Sequence, residues 1–141
     1  MTNISKYSHD YLVYIIKSNN LTYVGMTNNF LRRWLQHNRE LSGGAKYTHK
    51  GSDWYPICII YGFKNKVEAM QAEWKIKSKR NKLSRKFKGA VGRIQYLNLL
   101  LNDDKWTSKS PLIKEQNLII HIDDDYKQYL TDCEYEELYW K

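Results

Sequence analysis

The sequence predicts an α+β domain with a small central antiparallel sheet of about three strands, flanked by helices. Two short runs rich in β-formers, residues 11–18 and 21–26, are joined by Asn19-Asn20, which is the pattern of a hairpin. A third apolar run at 54–63 lies between segments that have helical spacing. The resulting order, β-β-α-β-α-α, favours helices that pack on one sheet.

The first helix is predicted over residues 30–40, after the capping residues 27–29. Arg33 and His37 are four residues apart, so they project together from one side of this helix. Its predicted apolar side consists of Leu31, Trp34 and Leu35, with Asn38 beside them.

The third strand, 54–63, carries Pro56 near its start, which an edge strand tolerates. Helical spacing predicts a second helix over 66–78 and a third over 92–102. The apolar run 117–122 is a candidate for a late strand.

We divide the chain into an N-terminal extension (1–10), a main domain (11–122) and an acidic, aromatic tail (123–141). The main domain contains a glycine-rich basic loop at 42–52 and a basic stretch at 79–89. The many aromatic residues in the tail predict that part of it packs, either on its own domain or across a homodimer.

Composition limits the class of protein. The chain has 141 residues, 42% of them hydrophobic, which is typical of one globular domain with a core. Two cysteines exclude a disulfide scaffold and a cysteine-rich structural zinc module. No apolar run is long enough for a membrane helix, and residues 1–10 lack the apolar core of a signal peptide. We therefore expect an intracellular protein without a membrane partner.

The net charge of +8 is unevenly distributed along the chain. Residues 1–102 hold 18 Lys/Arg and 5 Asp/Glu, a net of +13, whereas residues 103–141 hold 5 and 10, a net of −5. A domain this basic indicates a polyanionic partner, nucleic acid first of all. The alternative is a solvated lysine-rich surface, because Lys, Asn, Ile and Tyr are all abundant and AT-rich codons alone produce that bias.

Several polar and aromatic residues are candidates for a site, although each has an ordinary structural explanation. Tyr14 and Tyr23 lie on neighbouring strands, where a cross-strand aromatic pair is common. Gly25 permits close approach by a ligand or a backbone, or simply a bulge. Arg33 and His37 could form an ordinary surface pair on their helix.

Glu73 is the most informative candidate, because Ala69, Met70 and Ile76 place it on or beside an apolar helix face. A carboxylate there is costly unless it is paired or binds a metal ion. The structural alternative is a salt bridge to a nearby lysine such as Lys77. A single carboxylate suits one Mg²⁺ that keeps several waters, and it does not suit a two-metal site.

Taken together, these residues resemble the GIY-YIG nuclease superfamily. Leu12-Val13-Tyr14 stands where the first motif has Gly-Ile-Tyr, and Tyr23-Val24-Gly25 stands where the second has Tyr-Ile-Gly. The family's arginine, histidine and helix glutamate match Arg33, His37 and Glu73. Leu12 departs from the family, but the glycine it replaces is a packing position.

Further stretches resemble one branch of the superfamily, the catalytic subunits of structure-specific endonucleases that act on flaps, replication forks and Holliday junctions. They include RRWLQHN, GGAKYT, Trp54, Ala69-Met70-Gln71, Glu73-Trp74, residues 93–101, Trp106 and Pro111-Leu112. Eukaryotic members continue into a zinc-binding RING-type module that is expected to hold an activating scaffold protein. No cysteine cluster stands at the corresponding place, so we expect no structural zinc and doubt a scaffold requirement.

The resemblance implies a metal-dependent DNA endonuclease that hydrolyses one phosphodiester of branched double-stranded DNA. Glu73 would hold one Mg²⁺ or Mn²⁺, and Arg33 would neutralise charge on the phosphate. Tyr14 would be the general base and Tyr23 would position water or phosphate, while His37 would share the base role or orient Tyr14.

Basic and polar residues of the two basic segments are candidates for phosphate contacts, which position DNA without reading its sequence. These residues are Arg32, Lys46, Tyr47, Thr48, Lys50, Lys79, Arg80, Lys82, Arg85 and Lys86. Two other functions stay open: a catalytically silent nucleic-acid-binding module, and a sequence-specific nuclease of the same superfamily.

Overall fold

The computed structural model describes residues 7–78, 86–131 and 133–138. Within them the chain forms the predicted α+β arrangement, with short 3₁₀ turns in the loops. The strands are β1 (Ser8–Ser18), β2 (Leu21–Asn29), β3 (Tyr55–Tyr61), β4 (Ile119–Ile122) and β5 (Glu136–Glu137), and the α-helices are α1 (Phe30–His37), α2 (Lys66–Lys77) and α3 (Gly89–Leu101).

The sheet has five strands in the order β2-β1-β3-β4-β5, so the expected number of about three was wrong. The first four strands pair antiparallel, whereas β5 pairs parallel with β4. The sheet is therefore mixed and extends into the acidic tail. The first strand also begins earlier than expected, at Ser8.

β3 lies between β1 and β4, so it is an interior strand and the expectation of an edge position was wrong. Pro56 is tolerated there because the β1–β3 register shifts between Ile15 and Ile16, opposite the proline. Proline lacks the N–H that a regular ladder needs, and irregularities of this kind are one of the few interior positions where it fits.

Asparagine side chains cap the N-termini of the first two helices. Asn29 accepts a hydrogen bond from the Arg32 amide at the start of α1, and Asn65 accepts one from the Glu68 amide at the start of α2. The buried face of α1 carries Phe30 and His37. Of the apolar side expected for α1, Trp34 is partly buried and stacks on Phe30, whereas Leu31 is 38% exposed.

Alternate residues of β1 point into two hydrophobic clusters, because side chains of a strand alternate between the faces of the sheet. Val13 and Ile15 join the cluster that includes residues of α2 and α3. Leu12 and Tyr14 join the cluster that includes Phe30 of α1. Tyr14 is therefore set in a packed layer beneath α1.

The acidic tail packs on its own domain. Tyr126 and Leu130 are buried in the first cluster, and Leu138 is buried in the second cluster together with Tyr14. The Leu138 amide donates to the Ile122 carbonyl at 3.0 Å, which continues the pairing of β5 with β4. Among the helices of the described residues, none has the length and apolarity required to cross a bilayer.

Candidate active site

The hairpin places Tyr14 directly opposite Gly25. A Cβ at Gly25 would overlap the hydroxyl oxygen and Cζ of Tyr14, so only glycine leaves room for the ring in this position. The close approach that glycine permits here is therefore that of the Tyr14 phenol. The ring also contacts Phe30, with centroids 5.3 Å apart. The direction of the Tyr14 hydroxyl is thus fixed by packing.

A chain of three hydrogen bonds begins at this hydroxyl. Tyr14 Oη lies 2.6 Å from His37 Nε2. On the other side of the imidazole, His37 Nδ1 lies 3.1 Å from Thr48 Oγ1. The Thr48 hydroxyl in turn donates to the Ala45 carbonyl at 2.7 Å. All three side chains are buried, so the network is shielded from bulk solvent.

The surroundings keep both Tyr14 and His37 neutral. Burial raises the pKa of Tyr14 far above its usual value, although the guanidinium of Arg33 acts in the opposite direction. Burial, followed by the positive charges of Arg33 and Lys77, lowers the pKa of His37 to about 4. Near neutral pH the imidazole therefore has one proton and one unprotonated nitrogen.

Arg33 is half-buried between this network and the glycine-rich loop. Its Nη1 donates to Gln36 Oε1 at 3.0 Å and to the Gly43 carbonyl at 2.8 Å. Neither acceptor is a carboxylate, so the positive charge of Arg33 is not neutralised by these contacts. The guanidinium lowers the pKa of both Tyr14 and His37, so a cation lies beside the network.

Tyr23 lies between His37 of the network and Tyr47 of the glycine-rich loop. Its ring centroid is 5.0 Å from that of His37 and 5.9 Å from that of Tyr47, on which it stacks. The Lys77 ammonium lies 4.7 Å from the Tyr23 ring centroid, and the Lys50 ammonium lies 4.8 Å from that of Tyr47. Two lysines therefore border the aromatic residues around the buried network.

Glu73 lies on α2, half-buried, four residues before Lys77. Its negative charge contributes to the raised pKa of Tyr14, so the carboxylate lies near the network. No salt bridge to Glu73 forms within residues 7–78, 86–131 and 133–138, and those residues contain no cluster of three potential metal ligands. The donor set fits a single ion such as Mg²⁺ that keeps several waters, and not a dedicated protein cage.

The expected phosphate contacts divide into three groups. Arg32, Lys46, Lys50 and Lys86 are exposed, and Tyr47 is half-buried beside Tyr23. Thr48 was wrongly included, because its side chain is fully buried and its hydroxyl bonds inside the protein. The remaining four, Lys79, Arg80, Lys82 and Arg85, lie outside the described residues.

Two basic residues near the site were not selected from the sequence. Lys77 was treated only as an ion-pair partner of Glu73, and Arg93 was not assigned a role. Arg93 Nη1 donates to the Ile76 carbonyl at 3.0 Å at the end of α2, and the guanidinium interacts electrostatically with Tyr47. Helical spacing from Glu73 could have selected Lys77, whereas no local signal selects Arg93 because its partners are distant in sequence.

The arrangement defines a class of protein. The family model for the GIY-YIG catalytic domain matches residues 10–88, which is more than half of the chain. The segment contains all five predicted catalytic residues, from Tyr14 on β1 to Glu73 on α2. The chain belongs to the GIY-YIG catalytic domain family.

Curated relatives are more specific in name. The chain is 44% identical over 69 residues to Structure-specific endonuclease subunit slx1 of Schizosaccharomyces pombe, a match that covers 45% of this chain and 26% of the relative. It is 42% identical over 79 residues to the SLX1 homolog of Drosophila mojavensis, which covers 50% of this chain and 26% of the relative. The SLX1 homolog of Giardia intestinalis is 44% identical over 52 residues, covering 37% of this chain and 14% of the relative. The chain thus spans about a quarter or less of these relatives.

Proposed function

We propose that this chain is a metal-dependent endonuclease that hydrolyses one phosphodiester of branched double-stranded DNA. The observation that carries the proposal is the buried Tyr14–His37 hydrogen bond. The charges of Arg33 and Glu73 both influence the pKa of Tyr14. This arrangement combines a polarised hydroxyl, a cation and a carboxylate, which are the groups that phosphodiester hydrolysis requires. The relatives named as structure-specific endonuclease subunits support the same activity.

In the proposed reaction, a water oxygen forms a bond to phosphorus while the bond to the leaving oxygen breaks in line. The leaving oxygen departs with the electron pair and takes a proton from solvent. The proton lost by the water passes to Tyr14, whose own proton passes to His37 Nε2 at 2.6 Å. This sequence balances the protons without requiring a free phenolate, which the raised pKa of Tyr14 disfavours.

In this proposal, Arg33 and Lys77 also control the pKa of His37. Their charges help to keep the pKa of His37 low while the site is empty of phosphate. A bound phosphate would offset those charges and favour the protonated imidazole, so DNA binding would strengthen His37 as a proton acceptor. Arg33 would also stabilise the negative charge that develops on the phosphate during attack.

Glu73 would hold one Mg²⁺ or Mn²⁺, which would polarise the scissile phosphate and stabilise the leaving oxygen when bound. The half-buried carboxylate has no ion-pair partner among the described residues, and it acts on Tyr14. The exposed cations Arg32, Lys46, Lys50 and Lys86 would contact the flanking DNA backbone. The basic residues that the sequence places between them, Lys79, Arg80, Lys82 and Arg85, would do the same.

Branched DNA is the proposed substrate class because backbone contacts of this kind respond to the shape and bendability of DNA. The three relatives are named as structure-specific endonuclease subunits. For this chain, activity measured with the isolated protein will decide whether a partner is needed. The same measurement with light scattering will show whether the active form is a monomer or a homodimer.

The test is cleavage of a flap, a four-way junction and a linear duplex of matched length, with Mg²⁺ and with EDTA. We expect cleavage of branched DNA with Mg²⁺ only. We expect Glu73→Gln to abolish cleavage and to retain DNA binding, since the amide keeps the shape but loses the charge. Glu68→Gln, which changes a carboxylate of the first turn of the same helix, is the matched control.

Other results of this cleavage test would indicate one of the two alternative functions. Binding of branched DNA without cleavage under all conditions would indicate a silent binding module. Cleavage of the linear duplex at a defined sequence would indicate a sequence-specific nuclease. Wild-type cleavage by the Glu73→Gln variant would show that the metal assignment is wrong.

A further inference from the structure

The single hydroxyl proton of Thr48 already forms a hydrogen bond with the Ala45 carbonyl. Thr48 Oγ1 lies 2.7 Å from the Ala45 carbonyl oxygen, and a carbonyl can only accept a hydrogen bond. The Thr48 proton must therefore point at Ala45. What Thr48 presents to His37 is an oxygen lone pair.

His37 Nδ1 lies 3.1 Å from that lone pair. If Nδ1 were unprotonated, two lone pairs would face each other in a buried place, where an unmade hydrogen bond is costly. The contact is favourable only when Nδ1 carries the proton. Since His37 is neutral near pH 7, Nε2 must then be the unprotonated nitrogen.

The other end of the network agrees with this assignment. Burial raises the pKa of Tyr14, so its hydroxyl keeps its proton near neutral pH. His37 Nε2 lies 2.6 Å from the Tyr14 oxygen, within reach of that proton. An unprotonated Nε2 is the acceptor that this short contact requires.

We propose that Thr48 is a positioning residue that fixes His37 in the Nδ1-protonated tautomer, so that Nε2 receives the Tyr14 proton. Backbone hydrogen bonds fix the position of Thr48. Its amide donates to the Ala45 carbonyl at 3.1 Å, and its own carbonyl accepts from Trp54 Nε1 at 2.9 Å. Its side chain is fully buried, so it acts through His37 and has no access to DNA. The role in catalysis rests on the proposed function, whereas the tautomer does not.

The first test measures the tautomer directly, without DNA. Protein labelled with ¹⁵N at histidine is examined near pH 7.5 by long-range ¹H–¹⁵N correlation, and the His37 signals are assigned by their loss in His37→Gln. We expect a protonated Nδ1 and an unprotonated Nε2 in the wild type and in Thr48→Ser, which keeps the hydroxyl. In Thr48→Val, which keeps the shape and loses the hydroxyl, we expect the Nε2-protonated tautomer to be populated.

The second test measures single-turnover cleavage of the best branched substrate by the same variants. We expect Thr48→Val to reduce the rate constant by about 10-fold or more, which is the low end of what proton transfer contributes. DNA affinity should stay unchanged, and Thr48→Ser should restore the rate. The matched control is Thr131→Val, which removes an exposed hydroxyl bonded to Asn98.

An Nε2-protonated wild type would overturn the proposal, and so would an unchanged tautomer and rate in Thr48→Val. If Thr48→Val does not fold, the wild-type and Thr48→Ser spectra still decide the assignment. If the protein cuts no DNA, the spectra still decide whether Thr48 sets the tautomer. The failure of the proposed function and the failure of this inference are therefore distinguishable.

Discussion

Protonation of His37 should destabilise the fold at mildly acidic pH. The imidazole is fully buried, and both of its nitrogens already have partners in the Tyr14–Thr48 network. A second proton on Nε2 would remove the acceptor for the Tyr14 hydroxyl and would add a positive charge close to Arg33 and Lys77. The folded state therefore resists this proton more strongly than the unfolded chain does.

The size and the direction of the effect follow from the pKa. A histidine of the unfolded chain titrates near its model value of 6.5, whereas His37 titrates at about 4 in the fold. Because the folded pKa is depressed, the stabilisation is fully present above 6.5 and is lost as the pH falls towards 4. The whole shift corresponds to about 3 kcal/mol, of which about 2 kcal/mol should be lost between about pH 7.5 and about pH 5.

The assay is urea unfolding of the wild type and of His37→Gln at about pH 7.5 and about pH 5. Few carboxylates are protonated in this interval, and those that are contribute equally to both proteins. The free energy of unfolding of the wild type should fall by about 2 kcal/mol more than that of the variant. His49→Gln removes an exposed imidazole and should keep the wild-type pH dependence.

Equal losses of stability in the wild type and in His37→Gln would refute the reasoning. Such a result would mean that the buried imidazole accepts its second proton at no cost to the fold. The Tyr14–His37 contact would then have to tolerate a protonated Nε2, and the neutral network described above would be wrong.

Three further outcomes are expected. Gly25→Ala should disrupt the Tyr14 ring position and reduce cleavage at least about 10²-fold, measured beside its melting temperature, because a Cβ would overlap the phenol. Arg33→Ala should reduce the cleavage rate constant by about 10² or more with little loss of fold stability. Leu138→Ala should cost about 2–5 kcal/mol in urea unfolding, since this tail residue is buried in the cluster that contains Tyr14, whereas Leu99→Ala at an exposed position should cost much less.

The parts of the fold that local chemistry determines could be predicted from the sequence. The Asn19-Asn20 turn signal lies between β1 and β2, and Asn29 and Asn65 begin their helices as capping residues do. These features depend on residues within a few positions of one another. Their prediction needs no knowledge of the tertiary structure.

The sheet edge could not be predicted in the same way. Glu136 and Glu137 have weak β propensity, and they form a strand because they pair with His121 and Ile122. A hydrogen bond between His121 Nε2 and Glu136 Oε2, at 2.7 Å, joins this acidic segment to β4. Such pairing is a property of the assembled fold, so the tail was expected to pack but not to extend the sheet.

The site shows the same division. Motif spacing selected Tyr14, Arg33 and His37, and the fold brings them together. Thr48 was selected as a phosphate contact because it lies in a basic, glycine-rich loop. Only the tertiary structure shows that it faces His37, which is eleven residues away in the chain.

The position of Lys77 bears on one of the two explanations of Glu73 that the sequence left open, a salt bridge to this lysine. If Lys77 neutralised Glu73, the carboxylate would have a structural role and little capacity left for a metal ion. The Lys77 ammonium instead lies 4.7 Å from the Tyr23 ring centroid, and it forms no salt bridge with Glu73. Within the described residues, both charges therefore remain available to a ligand. A phosphate with its metal ion is a ligand that satisfies both, since the phosphate takes the ammonium and the metal takes the carboxylate.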